Sequence, residues 1–300
     1  METPEFKDLE DRLRNMRILS NSLVVSREKT ICFDTCISCV KILSTGQIAV
    51  AFTTGTIQIL DSETNVAIKE ISSEFNAVIC FGLLSDGRLI FGTIDGAIQV
   101  WDYETHPKTL VNHYSRIISI VVLDGDEMIS VSSDRVVKYF DGNQEARTLW
   151  TNDDHISCMI KLPDRNVAIG TMRGIIQIVS IDDGSSFSLE RHTREVTSMA
   201  VTSDGRLVSG SADGCVILWG RDSHEKEVRV GIGGVFSLCM LPDDRLLCSA
   251  ADGTVHIWSI HGYDCEMAQP MRDYITTDFQ CFPDNRVLFN VSPSSIEIWK

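Results

Sequence analysis

The chain repeats itself seven times with a period of 39 to 41 residues. Reading one position per unit gives Leu60, Trp101, Phe140, Val179, Trp219, Trp258 and Trp299, separated by 41, 39, 39, 40, 39 and 41 residues, and all seven are apolar. A fixed period near forty residues marks like units that bury their apolar surface on one another, so it limits the fold more than any single motif does.

Ahead of each of these positions the same features return in the same order: an apolar-rich strand, a polar turn, a second strand, an Asp-Gly type turn and a third strand. First strands are expected to start at Ile37, Val78, Ile117, Ile156, Val196, Val235 and Ile275. The turns that follow them, such as Asp86-Gly87 and Asp204-Gly205, supply positive φ or local Asx hydrogen bonds. Second strands such as Arg88 to Gly92 and Arg206 to Gly210 end in small residues. Third strands alternate, as in Ile57 and Ile59 or Val216 and Leu218, which suits sheets whose two faces meet different surroundings. The connecting segment supplies a fourth strand to each unit.

From about residue 28 to 300 the chain resembles a WD40-repeat β-propeller. In the fifth unit His192, Asp213 and Trp219 match the family's pattern, with Ser209 or Ser211 as the hydroxyl that joins them. Asp95 with Trp101, and Asp252 with Trp258, match without the His, while the third unit has His113 and Asp134 but Phe140 in place of Trp. The first, fourth and seventh units have drifted further. The resemblance implies an all-β, seven-bladed WD40-type β-propeller, in which His192, Asp213, Trp219 and Ser209 form a buried structural network. It also implies that the loops before the first strands and the turns before the third strands share one face around a central channel.

The third strand of the last unit ends at Trp299, which leaves the seventh sheet one strand short. The segment Lys29 to Phe33 stands before Ile37 as Glu227 to Gly231 stands before Val235, and is expected to fill that place. The organisation expected is therefore residues 1–27 as an N-terminal helix and linker, and 28–300 as one propeller.

Residues 4–19 lie outside the repeat and read as a short α-helix. Thr3 can cap it, Pro4 suits its first position, and Glu5 faces the positive end of the helix dipole. Phe6, Leu9, Leu13 and Met16 form an apolar stripe that must be covered. It packs on the propeller, or it pairs with a partner helix or a second copy as a short coiled coil, a layout to which Gβ subunits are similar. Two heptads alone are marginal in water.

A net charge of −15, from 27 basic and 42 acidic side chains, argues against non-specific nucleic-acid binding, which depends on Lys and Arg neutralising phosphates. No apolar run approaches the roughly 18 residues of a membrane span, and the first residues lack the apolar core of a secretory signal. Of ten cysteines, Cys36 and Cys39 form a CxxC with no second pair to complete a metal site. Two residues into each first strand stand Cys39, Cys80, Ser119, Cys158, Ser198, Ser237 and Thr277, a ring of small side chains in which cysteine serves as a small buried residue. Free thiols suit a reducing compartment, cytoplasm or nucleus.

No phosphate-binding glycine loop and no nucleophile elbow is present, and Gly231-Ile232-Gly233-Gly234 reads as a connecting loop. The chain is therefore expected to be a non-enzymatic scaffold without cofactor or metal. Arg116, Arg135, Arg173 and Arg194 fall in the loops and turns of units three to five, two of them where a turn Gly or Asp is expected. Guanidinium forks bind carboxylate or phosphate bidentately, so the partner expected there is an acidic or phosphorylated peptide or protein segment. Alternatively these arginines spend their charge on Asp134, Asp153, Asp154 and Glu195. A second set, Arg88, Arg165, Arg206, Arg245 and Arg286, follows the Asp turns in register and reads as surface pairing on the opposite face. The rival function is a subunit of a multiprotein assembly, Gβ-like or a ubiquitin-ligase or ubiquitin-binding component, whose main contact is the N-terminal helix.

Overall fold

The computed structural model describes residues 27–61, 63–72, 77–142, 145–220, 224–229, 233–260, 265–270 and 279–300. The expected N-terminal helix with Phe6, Leu9, Leu13 and Met16 lies outside the described residues, as do Ile275 and Thr277. Among the described residues, twenty-eight strands make seven four-stranded antiparallel sheets, the blades of a β-propeller. Blade 5 shows the plan: Val196–Val201, Leu207–Ser211, Cys215–Trp219 and His224–Arg229 follow one another in sequence and in space. First strands begin at Ile37, Val78, Ile117, Ile156, Val196 and Val235 in blades 1 to 6. The described first strand of blade 7 is the short Phe279–Cys281.

Blade 7 is closed by the other end of the sequence. Arg27–Cys32 pairs antiparallel with Ser295–Trp299, Ile31 standing opposite Ile296. This strand starts two residues earlier than the Lys29 to Phe33 expected. Phe33 instead leaves the ladder and donates its amide to Ser294 O at 2.8 Å. Next to the closure, Gln280 of blade 7 clamps blade 1. The Ile42 amide donates to Gln280 Oε1 at 2.8 Å, and Gln280 Nε2 donates to Val40 O at 2.5 Å.

Burial peaks in the second strand of each blade, the first strands being partly open to the channel and the fourth to the outside. First strands of successive blades adjoin one another all the way round, the seventh meeting the first, so they line the channel. Second strands such as Ile48–Phe52 and Leu207–Ser211 are buried along their whole length, because a neighbouring blade covers each face. Outer strands such as Lys108–Asn112 bury a single residue, Val111. The repeat's apolar position is the last or last but one residue of the third strand, and it stands opposite the first or second residue of the second, as Leu60 opposite Ile48, Trp101 opposite Leu89 and Trp258 opposite Leu246. An apolar layer fills each gap between blades. Between blades 4 and 5 it holds Ile176, Leu189, Val196, Met199 and Trp219.

The ring of small residues has a packing cause. Cys80 pairs with Gly92, Cys158 with Gly170, and Ser198 with Gly210, and each glycine lies under the first strand of the next blade. A Cβ on Gly210 would stand 2.5 Å from Val235 Cγ1. Polar atoms of the ring tie blades together, Cys158 Sγ reaching Val196 O at 3.3 Å and the Leu238 amide reaching Ser198 Oγ at 3.1 Å. Burial pushes the Cys80 and Cys158 thiols up to about 12, which keeps them protonated and unreactive. All ten cysteines are free thiols. Among the described residues no helix is long and apolar enough to cross a membrane.

Candidate interaction face

The loops that lead into the first strands and the turns that precede the third strands meet edge to edge. In blades 1 to 6 the residue after the second strand donates its amide to the carbonyl of the residue before the first strand: Thr53 to Cys36, Ile94 to Ala77, Ser133 to Arg116, Met172 to His155, Ala212 to Glu195 and Ala251 to Gly234, all within 2.8 to 3.0 Å. These bonds fix one rim around the channel mouth.

Blade 5 supports its part of this rim with a continuous network. Trp219 Nε1 donates to Ser209 Oγ at 2.8 Å, and His192 Nε2 meets the same oxygen at 2.8 Å. His192 Nδ1 reaches Asp213 Oδ2 at 3.1 Å, while Asp213 also accepts the amides of Thr193 at 2.8 Å and Cys215 at 2.9 Å. Burial lowers the His192 pKa despite Asp213, so the imidazole is neutral. One assignment then satisfies every atom: Nδ1–H donates to Asp213, the Ser209 hydroxyl donates to Nε2, and the indole donates to Ser209. Desolvation opposes the ionised Asp213, but the two amides and His192 together hold its carboxyl below the ordinary range. Ser211 serves a different bond, its hydroxyl donating to Arg194 O at 3.1 Å.

The other blades keep fragments of this device. In blade 3 His113 Nε2 meets Ser130 Oγ at 2.8 Å, but Phe140 brings no N–H, and His113 Nδ1 is buried without a hydrogen bond, 4.0 Å from Asp134 Oδ1. In blade 6 Cys248 occupies the serine's place, opposite Leu238 as Ser209 is opposite Met199, and Trp258 Nε1 is buried without a partner. Blade 4 reverses the donor set. Arg173 stands in the turn where blade 5 has Asp213, and the carboxylate comes from the loop: the Arg173 amide donates to Asp154 Oδ2 at 3.0 Å.

Arg116, Arg135, Arg173 and Arg194 lie along one continuous run of this face. The Arg116 carbonyl receives the Ser133 amide at the base of the turn that holds Arg135. Arg135 Nη1 donates to Asp153 O at 2.9 Å in the loop entering blade 4, and the next residue of that loop, Asp154, holds Arg173. The turn of Arg173 packs on the loop entering blade 5, since a Cβ on Gly174 would stand 2.6 Å from both His192 O and Arg194 O. All four side chains are exposed. Arg173 Nε is 3.7 Å from Asp154 Oδ1, a surface pair worth about 0 to 1 kcal/mol. Among the described residues Arg116 and Arg194 have no ion-pair partner. Arg135 holds φ +68° where the matching turns use Gly55, Gly96, Gly174, Gly214 and Gly253, a conformation that costs a non-glycine residue about 1 to 2 kcal/mol.

Sequence reasoning missed the apolar part of this face. Ile94 is 46% exposed, Met172 53% and Tyr114 97%. Ile94 and Met172 follow the second strands of blades 2 and 4, where blades 1, 3, 5 and 6 carry Thr53, Ser133, Ala212 and Ala251. Aligning the seven units at this position exposes the anomaly.

On the opposite face Arg88, Arg206, Arg245 and Arg286 each pair with the aspartate two residues before, for example Arg88 Nε with Asp86 Oδ2 at 2.6 Å and Arg286 Nε with Asp284 Oδ2 at 2.8 Å. Arg165 departs from this pattern. It reaches Asp182 Oδ1 at 2.7 Å and Glu127 Oε2, of blade 3, at 3.0 Å. Among the described residues no group of three His, Cys, Asp or Glu is placed to hold a metal.

Comparison with known families agrees with this geometry. The family described as WD domain, G-beta repeat matches residues 184–220 and 226–259, which hold the inner strands of blades 5 and 6. A search of curated proteins found no match.

Proposed function

Because the chain belongs to the WD40-repeat propellers, a fold that generally serves as a protein-interaction scaffold, we propose that it captures a negatively charged peptide or protein segment on the loop face of blades 3 to 5, with Arg116, Arg135, Arg173 and Arg194 as its anchors. The observation that carries this reading is the unbroken run of loops joining four exposed arginines in a chain of net charge −15. Arg116, Arg135 and Arg194 have no carboxylate to neutralise them among the described residues, and Arg135 is held in a strained backbone conformation on this face. Guanidinium groups so placed offer forked donors to a carboxylate or phosphate group. Propellers of this family are as a rule non-enzymatic, and the reading assigns no catalytic step to the chain.

Affinity purification from the source cell tests the reading. Wild type is compared with a variant carrying Arg173→Glu and Arg194→Glu, and with a chain lacking residues 1–20. Charge reversal is expected to remove acidic or phosphorylated partners that deletion leaves in place. Identical recovery by wild type and the charge-reversed protein would reduce the arginines to surface decoration.

A further inference from the structure

The rim of the channel mouth carries an alternation that the arginine run alone does not explain. At the residue following the second strand, blades 2 and 4 present Ile94 and Met172, about half exposed. Between them, in blade 3, the same rim position is Ser133, whose amide bonds to the carbonyl of Arg116. The described residues immediately before the first strands are Cys36, Ala77, Arg116, His155, Glu195 and Gly234, so Arg116 is the arginine in this innermost ring. A cation therefore stands at the mouth with an exposed aliphatic side chain on the blade to either side. Tyr114, in the loop entering blade 3, adds an exposed aromatic ring with Lys138 Nζ 5.8 Å from its centroid. The turn holding Ile94 packs against its loop, where a Cβ on Gly96 would stand 2.6 Å from His113 O and 2.7 Å from Ser115 O.

Resting on the capture function proposed above, we infer that the segment held there is a linear peptide in which an Asp or Glu carboxylate lies between two apolar side chains, the carboxylate received by Arg116 and the apolar groups by Ile94 and Met172. Two observations choose a carboxylate over a phosphate. Arg135 and Arg173 are already engaged, with Asp153 O and with Asp154, and Arg194 stands one residue outside the innermost ring, which leaves Arg116 as the unshared guanidinium of that ring among the described residues. Asp154 and Glu195 border the same rim and oppose a dianion more strongly than a monoanion. Exposed aliphatic side chains beside an unpaired cation, in an acidic protein, match an acidic and apolar segment in both charge and hydrophobicity.

Selection of random dodecapeptides displayed on phage against the full chain tests this, followed by fluorescence anisotropy with the synthetic consensus peptide. Enriched peptides are expected to combine Asp or Glu with Leu, Ile, Met or Phe on both sides. The double variant Ile94→Ser, Met172→Ser is expected to weaken the consensus peptide at least roughly tenfold while keeping its preference for acid. Arg116→Gln is expected to remove the acidic preference while leaving apolar residues enriched. Acidic peptides without apolar bias, bound equally by the Ile94 and Met172 double variant, would overturn the inference and leave the arginine run standing. A peptide with phosphoserine in place of the central acid that bound more tightly would overturn the choice of carboxylate. Absence of acidic enrichment, or indifference to Arg173→Glu with Arg194→Glu, would overturn the capture function itself. All substituted side chains are exposed, and a melting temperature within a few degrees of wild type confirms that each variant is folded.

Discussion

Trp219 and His192 never touch polar atom to polar atom, yet both bond to the single oxygen of Ser209, each at 2.8 Å. The hydroxyl is thus the hinge of a buried chain running from the third strand of blade 5 to its loop face. Ser209→Ala strands the indole N–H and the imidazole Nε2 together, and a loss of about 2 to 4 kcal/mol is expected. Trp219→Phe, which copies the arrangement around Phe140 in blade 3, leaves His192 and Ser209 paired and is expected to cost less. Urea denaturation of the two variants decides the order, and a smaller loss for Ser209→Ala would refute the shared-hinge account.

Packing between blades gives a second expectation. Gly210→Ala drives a methyl against Val235 Cγ1 and lies 3.2 Å from Leu238 Cδ1, so destabilisation of about 1 to 3 kcal/mol is expected from overpacking. Adding Val235→Ala removes the first obstacle, and a double-mutant cycle should show favourable coupling between the two changes. Purely additive losses would mean that the clash is not the cause.

Strain on the interaction face separates stability from binding. Arg135→Gly releases a residue held at φ +68° and is expected to stabilise the fold by up to about 1 kcal/mol, while weakening capture of acidic peptides. Calorimetry and anisotropy on one preparation read both effects. A variant no more stable than wild type, with unchanged binding, would remove Arg135 from the face's function.

Acid stability follows from the buried imidazoles. Burial pushes His113 down to about 4, Lys138 adds to the shift, and Asp134 opposes it. The unfolded chain keeps the ordinary value of about 6.5, so it binds more protons between those limits. Stability is therefore full above about pH 6.5 and is lost as pH falls toward 4. His192 and His256, both lowered chiefly by burial, act in the same direction. Arginine-paired Asp204, held at about 2, adds its loss only below the ordinary carboxylate value. Denaturation midpoints between pH 7 and 4.5 should fall, and His113→Gln should flatten the slope. An unchanged slope would show that His113 does not carry the effect.

Much of this architecture was legible because it depends on repetition. Six first strands begin at the residues read from the sequence, and the apolar position recurs opposite the second strand from blade to blade, since both follow from a two-residue alternation counted over forty residues. Details that depend on distance along one strand were not legible. Ser209 and Ser211 share a face by alternation, and only the reach of Trp219 and His192 distinguishes them. The closing strand also slipped by two residues, because KTICF and its neighbours offer similar strand patterns. Exposure was harder still: Ile94 and Met172 look like ordinary strand ends until the turn carries them outward. Asp154 taking the place of a turn aspartate joins residues 19 positions apart, and no local spacing marks it.

The pairing of Ile31 with Ile296 sets the order in which the molecule can be made. Blades 1 to 6 each contain consecutive strands and can form as their own residues leave the ribosome. Arg27–Cys32 has to wait, its ladder bonds unmet, until Ser295–Trp299 has been synthesised. Throughout translation the growing polypeptide is an open arc with two adhesive rims, and the ring closes in a single late event.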